Sequence, residues 1–374
     1  MVFTKRIFCA VCVLVCFVSL ICLASCGADS EDASTAAVTT QTSVTQADTE
    51  STTAAITTAK TTVTTTAATT VAMTTATTTT TAVATTTTAT ATLAVTTTTA
   101  VTTTTAVTTT VTEIIPAYAG LYMADTLMPL YQKGSDERIY PASLTKLITA
   151  CTALEYVSSD TVFTVGSELN LVKSGSSLCL ISQGQMLTLY DLLTGMLMSS
   201  GNDAAYTIAV NVARLESGNA NLSDADAVTY FVGLMNDYAQ YIGMDSSNFV
   251  NPEGWDDENQ YTTVEDLAII STYAIGNEVI LEIVSCYSKY VVFASGQSIT
   301  WNSTNALLNP EGQYYCADAI GLKTGTTANA GKCMIAVFEN QGKRYIAISA
   351  MCTSEEQRFG SVLELYAMVN SLSQ

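Results

Sequence analysis

Pro141-Ala142-Ser143-Leu144-Thr145-Lys146 decides how the rest of this chain is read. A serine hydroxyl is a poor nucleophile unless a neighbouring group takes its proton. The 374 residues contain no histidine, so a Ser-His-Asp triad and its Cys-His variants are excluded within the chain. A lysine one helical turn from the serine is the remaining solution, and Ser143 and Lys146 have that spacing. On a helix, residues three apart share a face within hydrogen-bonding reach. Pro141 suits a helix start, and it places Ser143 in the first turn, where the helix dipole favours negative charge. Leu147, Ile148, Ala150 and Leu154 continue an apolar pattern that buries the helix and its lysine with it.

Ser-x-x-Lys is a loose pattern that more often marks a solvated helix face, although it occurs once here; its companions give it meaning. Ser200-Gly201-Asn202 lies between two apolar helical stretches, where a polar pair needs a reason. Three other Ser-x-Asn triplets, at 217–219, 246–248 and 303–305, fall in polar turns and linkers, where such residues satisfy local backbone. Lys323-Thr324-Gly325-Thr326 stands just ahead of an apolar strand. Its glycine allows close approach of backbone to a ligand, and its lysine and threonine can hold a carboxylate. Alone, that stretch reads more readily as a lysine-bearing turn.

Working outward, residues 117–124 and 128–132 read as two strands, and the Ser143 helix runs to about Tyr156. Helices follow over 187–199, 203–214 and 224–241. Thr262-Thr263-Val264-Glu265 is a capping-box signature ahead of 267–273. Strands return over 332–338 and 345–352, and a helix closes over 355–371. Strands at both ends around a helical insert indicate an α+β sheet lobe carrying an all-α lobe, with the catalytic groups meeting at the seam.

Composition divides the chain into three parts. Residues 1–26 have a basic start (Lys5, Arg6), an apolar run from Ile7 to Leu23 and then Ala24-Ser25-Cys26, which reads as a secretory signal; the run is also nearly long enough to span a bilayer. Leu23-Ala24-Ser25-Cys26 resembles a bacterial lipobox, in which Cys26 is lipidated and becomes the mature N-terminus. Residues 27–112 are dominated by threonine with alanine and valine, lack the large apolar residues needed to order a core, and read as a disordered tether with an r.m.s. span of roughly 50 Å. Residues 113–374 form one domain, ample for a sizeable core. That domain holds 28 acidic and 11 basic residues, an excess that argues against nucleic-acid partners and against docking on anionic lipid through its surface. Six of its residues are cysteines: Cys151, Cys179, Cys286, Cys316, Cys333 and Cys352. None forms a Cys-x-x-Cys and no histidine is present, so no metal site is expected. Buried thiols and disulfides both remain open.

In this order, Ser-x-x-Lys, Ser-x-Asn and Lys-Thr-Gly resemble the signature set of penicillin-binding proteins and class A β-lactamases. Pro-Ala-Ser-Leu-Thr-Lys-Leu, Ser-Gly-Asn-Asp-Ala-Ala (200–205), Phe-Val-Asn-Pro-Glu-Gly (249–254), Trp301 with Asn305-Ala-Leu-Leu, and Gly-Leu-Lys-Thr-Gly-Thr (321–326) narrow the resemblance to the D-alanyl-D-alanine carboxypeptidases, across essentially all of 113–374. The resemblance implies a penicillin-binding-protein/β-lactamase-like fold: an antiparallel sheet flanked by helices, plus an all-α lobe. It implies a serine peptidase without cofactor that trims the terminal D-alanine of peptidoglycan stem peptides and is inhibited by β-lactam antibiotics. Ser143 would be the acylated nucleophile and Lys146 its base, Ser200 a proton relay, and Asn202 an orienter of Lys146 and substrate. Lys323 and Thr324 would hold the terminal carboxylate. The N–H groups of Ser143 and Thr326 would form the oxyanion hole, with Gly325 between the carboxylate and oxyanion contacts. Burial and the charge of Lys323 are expected to depress Lys146.

The chain departs from the pattern in three places. Relatives commonly carry histidine where this chain has Glu253, and sometimes where it has Thr326. A basic residue that some relatives place near Thr304 is missing. Many relatives add a C-terminal β domain and amphipathic anchor, whereas about 50 residues follow Lys323 here; the lipid on Cys26 would replace that anchor and hold the protein on the outer face of a bacterial membrane. A class A β-lactamase would need a Glu-x-x-Leu-Asn stretch after Asn202 to activate the deacylating water, and none is present. An endopeptidase or transpeptidase would use the same site.

Overall fold

The computed structural model describes residues 115–372. The signal (1–26), its Cys26 and the threonine-rich stretch (27–112) lie outside the described residues. The strands are β1 (Tyr118–Met123), β2 (Pro129–Lys133), β3 (Val162–Thr164), β4 (Met186–Thr188), β5 (Ser288–Val292), β6 (Ser298–Asn302), β7 (Ala319–Thr327), β8 (Gly331–Asn340) and β9 (Lys343–Cys352). The helices are α1 (Thr145–Tyr156), α2 (Leu189–Met198), α3 (Asn202–Glu216), α4 (Asp224–Ile242), α5 (Val264–Gly276), α6 (Glu278–Val284) and α7 (Glu355–Leu372).

Five strands make one antiparallel sheet in the order β2-β1-β9-β8-β7. Its central strands read as near-continuous apolar runs because both faces are covered. On one face Leu121, Met334, Ala336, Phe338 and Ala347 pack against Phe359, Val362, Leu365 and Tyr366 of α7, with Phe338 stacked on Tyr366 at 4.2 Å between centroids. On the other, α5 crosses β1 and β9. β8 and β9 are joined at Gln341-Gly342, both at positive φ (52° and 73°), the backbone of a tight hairpin turn whose twist matches the strands. The second lobe is helical: α1 runs through it against α3, α4 and α5, with Leu147, Ile148, Ala150, Cys151 and Ala153 all buried. The α+β architecture and the position of the seam are as the sequence indicates.

Four local features differ from the sequence reading. Ser143 lies in a separate 3-10 turn, Ala142–Leu144, and the α-helix begins at Thr145. The cap of α5 is Thr263, which accepts from the Asp266 N–H, so the cap lies one residue beyond Thr262 and the expected reciprocal bond from Glu265 is not made. Glu265 instead accepts from Ser135 and Gln132 side chains. Lys323-Thr324-Gly325 is not a turn before a strand but part of β7 itself, paired along β8. The β5–β6 hairpin and the short helix α6 went unread. All six cysteines of the described residues are thiols, four of them buried.

Candidate active site

Five segments converge at the seam: the 3-10 turn with α1, the start of α3, β7, the loop 249–260, and the segment 172–182. Lys146 is fully buried, and its Nζ stands 3.0 Å from Ser143 Oγ, 2.7 Å from Asn202 Oδ1 and 2.7 Å from the Glu253 carbonyl. Two of these partners can only accept. A neutral amine has two N–H bonds and one lone pair; with Asn202 and the Glu253 carbonyl taking the N–H groups, the lone pair is left for the Ser143 proton. Lys323, also buried, donates to Ser200 Oγ at 3.0 Å and to the Thr324 carbonyl at 2.9 Å. Ser200 therefore has a lysine beside it, and it is held at positive φ (59°), a conformation that a non-glycine residue keeps only when its surroundings over-determine it.

Local interactions explain how the walls are fixed. Asp203 accepts from the N–H groups of Cys179 and Ile181, Asn202 N–H donates to the Ser177 carbonyl, and Trp301 Nε1 donates to the Cys179 carbonyl at 2.8 Å. Together they pin the segment 172–182 against the start of α3. Loop 249–260 is folded around Asn251, whose Oδ1 accepts from the N–H groups of Gly254 and Trp255. Thr149 Oγ1 holds the Pro252 carbonyl and Gln260 holds Thr145, tying the loop to α1. Gly254, at φ +95°, presses on the Ala142 carbonyl, which a Cβ would strike at 1.8 Å. Asp256 accepts from Thr327 Oγ1 and the Asn329 N–H, joining this loop to β7. On β7, a Cβ on Gly325 would lie 3.0 Å from both Ser143 N and Ala142 Cβ, so glycine is what lets the strand run against the 3-10 turn. Between these walls is a cleft of about 380 Å³ lined by Ser143, Ser176, Asn202, Glu253, Trp255 and Thr326.

Burial drives both lysines toward the neutral state. Lys146 is lowered to about 8, chiefly by desolvation, while Glu253, Asp203 and Cys179 pull it the other way. Lys323 is lowered well below its ordinary value by desolvation, then by the charges of Lys146 and Arg358. The sequence reading anticipated the direction at Lys146 but assigned part of it to Lys323; the acidic neighbours of Lys146 oppose the shift, and burial overcomes them.

The structure brings Ser143, Lys146, Ser200, Asn202, Lys323, Thr324, Gly325 and Thr326 together at one seam. Thr304 Oγ1 lies 2.6 Å from Thr324 Oγ1, a neutral contact where the missing basic residue was noted. Three participants went unread. Arg358, from α7, is buried and donates to Thr326 Oγ1 at 3.2 Å and to the Gly325 carbonyl, bringing a cation behind β7. Tyr206 donates from its hydroxyl to Glu253 Oε1 at 3.3 Å. Glu253, noted only as a replacement for histidine, also accepts from Asn202 Nδ2. The available signals were the Asn-Pro-Glu-Gly stretch and the place of Tyr206 one helical turn after Asn202. Among the described residues no cluster of three or more metal-ligating side chains occurs.

Residues 107–351, about two-thirds of the chain, match the family model described as D-alanyl-D-alanine carboxypeptidase. The chain is 26% identical over 250 residues to D-alanyl-D-alanine carboxypeptidase DacF of Bacillus subtilis, covering 66% of this chain and 60% of that protein. It is 31% identical over 237 residues to D-alanyl-D-alanine carboxypeptidase DacD of Escherichia coli, covering 58% and 55%. The matches thus span little more than half the length of these relatives. The fold superimposes on the crystal structure of the Streptomyces K15 DD-transpeptidase with a TM-score of 0.61 at 26% identity, covering 67% of this chain and 95% of that one.

Proposed function

This chain belongs to the D-alanyl-D-alanine carboxypeptidase family, and from that premise we propose that it is a serine-type peptidase removing the terminal D-alanine of peptidoglycan stem peptides, and that β-lactams acylate it. The observation that carries the reading is the buried Lys146 amine, 3.0 Å from Ser143 Oγ with acceptors for both of its N–H groups. In the proposed reaction the substrate's terminal carboxylate lies against Lys323 and Thr324. Lys146 takes the Ser143 proton as Oγ attacks the penultimate carbonyl, and the N–H groups of Ser143 and Thr326 stabilise the oxyanion. Ser200, bonded to Lys323, passes a proton to the departing D-alanine amine and is resupplied with the one Lys146 took from Ser143. Water, deprotonated by the neutral Lys146, then cleaves the ester, and the proton returns to Ser143. Asn202 accepts from Lys146 through Oδ1 and orients the substrate amide. No cofactor is required.

The similarity to a DD-transpeptidase favours a second reading on the same site, in which an amine replaces water as the acceptor of the acyl group. D-Alanine release from an N-acylated peptide ending in D-Ala-D-Ala, with and without an added amino-acid acceptor, separates the two. Release without acceptor supports the carboxypeptidase, and release only with acceptor supports transfer. Hydrolysis of β-lactams without a lasting adduct would instead mark a β-lactamase. We also propose that Cys26 carries a lipid and tethers the domain outside the cell membrane through residues 27–112, supported by the Leu-Ala-Ser-Cys sequence after the apolar run.

A further inference from the structure

We propose that Glu253 is a positioning residue that locks the Asn202 amide in one orientation and, by its charge, sets the pH at which Lys146 becomes competent to accept the Ser143 proton. The inference rests on the assignment of Ser143 and Lys146 made above. Glu253 is 1% exposed, and a buried carboxylate is costly unless its surroundings compensate it. Its partners are the Asn202 amide and the Tyr206 hydroxyl, neither of them a cation. Lys146 binds the backbone carbonyl of the same residue, not its carboxylate. Keeping an acid here is therefore expensive, and two consequences of the geometry offset the cost.

The first is orientation. Asn202 is a two-ended group: Oδ1 accepts from Lys146, while Nδ2 donates to Glu253. An ionised carboxylate can only accept, so a flipped Asn202 would set its oxygen against Glu253 and its N–H groups against Lys146. The carboxylate forbids that state. The second is charge. Four groups face Lys146: Glu253 from loop 249–260, Asp203 from α3, Cys179 from the segment 172–182, and Lys323 from β7. Burial pushes the Glu253 carboxyl above its ordinary value, while Lys146, the Tyr206 hydroxyl, Lys173 and the Asn202 amide pull it back toward the ionised form on which both effects depend. Among the groups that favour the protonated lysine, Glu253 acts most strongly. As Ser143 attacks, Lys146 becomes an ammonium, and a carboxylate across the Asn202 amide stabilises that new charge. Glu253 thus makes Lys146 a stronger base than burial alone would leave it.

The test is the rate at which benzylpenicillin acylates the full-length chain, followed by intact mass from pH 5 to 10, for the unaltered protein, Glu253→Gln, Glu253→Ala and Ser143→Ala. Glutamine keeps the shape and an acceptor but removes the charge. The acid limb of Glu253→Gln should move to lower pH by roughly one unit, with a plateau several-fold lower because the base is weaker. Glu253→Ala should lower the plateau by a further tenfold or more, since Asn202 loses its partner. An acid limb in Glu253→Gln that coincides with that of the unaltered protein, or lies above it, overturns the proposal even if Glu253→Ala fails to fold. Unmoved acylation with slowed loss of the adduct also overturns it, making Glu253 the base of the deacylating water. If the unaltered protein takes up no β-lactam on Ser143, the enzymatic assignment itself falls, and this proposal with it.

Discussion

Ser143 and Lys146 are joined by one proton, and the surroundings of the lysine decide where that proton rests. An ordinary lysine is almost wholly charged at neutral pH; with Lys146 lowered to about 8, roughly one molecule in ten carries the neutral base at pH 7. Deprotonation grows as the pH rises through that value, so kcat/KM for a D-Ala-D-Ala peptide should climb about tenfold from pH 7 to its plateau. A profile flat from pH 6 to 9 would mean that Lys146 is not the titrating base. Ser143→Ala removes the hydroxyl bonded to Lys146 and should lower peptidase activity by at least a thousandfold. Assays of released D-alanine check both; residual activity within about tenfold would move the nucleophile elsewhere. The signature residues of this site were legible in the sequence because their chemistry is tied to short spacings. Glu253, Tyr206 and Arg358 were not, because the role of each exists only once the seam has closed.

At the scale of elements, β7 is the piece that makes the site. It bears Lys323 and Thr324 on one stretch and lies against the 3-10 turn of Ser143 through Gly325. In the sequence, Lys323–Thr327 is too polar and too glycine-rich to look like a strand. Pairing with β8 overrides that local preference, as tertiary context commonly does for strands. The apolar strands β8 and β9 and the periodic helices α2, α3 and α4 were readable within a few residues. Polar, alternating β5 and β6 and the seven-residue α6 carry too weak a pattern. Gly325→Ala tests the close approach: its methyl would force β7 and the turn apart, costing about 1–3 kcal/mol of stability. Acylation by a β-lactam should slow at least tenfold, because the donors of the oxyanion site separate. Thermal melting and stopped-flow acylation measure the two effects, and unchanged acylation would show that the contact is not needed for catalysis.

For the whole molecule, the formal net charge of −19 sets two buried lysines and Arg358 in an otherwise acidic particle. In the proposed reaction an anionic peptide terminus would favour the charged form of Lys323, while the acidic surface has little attraction for nucleic acid or anionic lipid. If Cys26 carries the proposed lipid, Cys26→Ser should shift the protein from the membrane to the soluble fraction after cell fractionation. Retention of the variant at the membrane would argue for an uncleaved apolar segment instead. The central claim is that this seam forms an acyl-enzyme on Ser143. Intact mass after brief exposure to benzylpenicillin, with Ser143→Ala alongside, tests it most directly. A single lasting adduct on the unaltered protein and none on the variant is the predicted result. Equal labelling of both proteins, or intact antibiotic with no adduct on either, would contradict it.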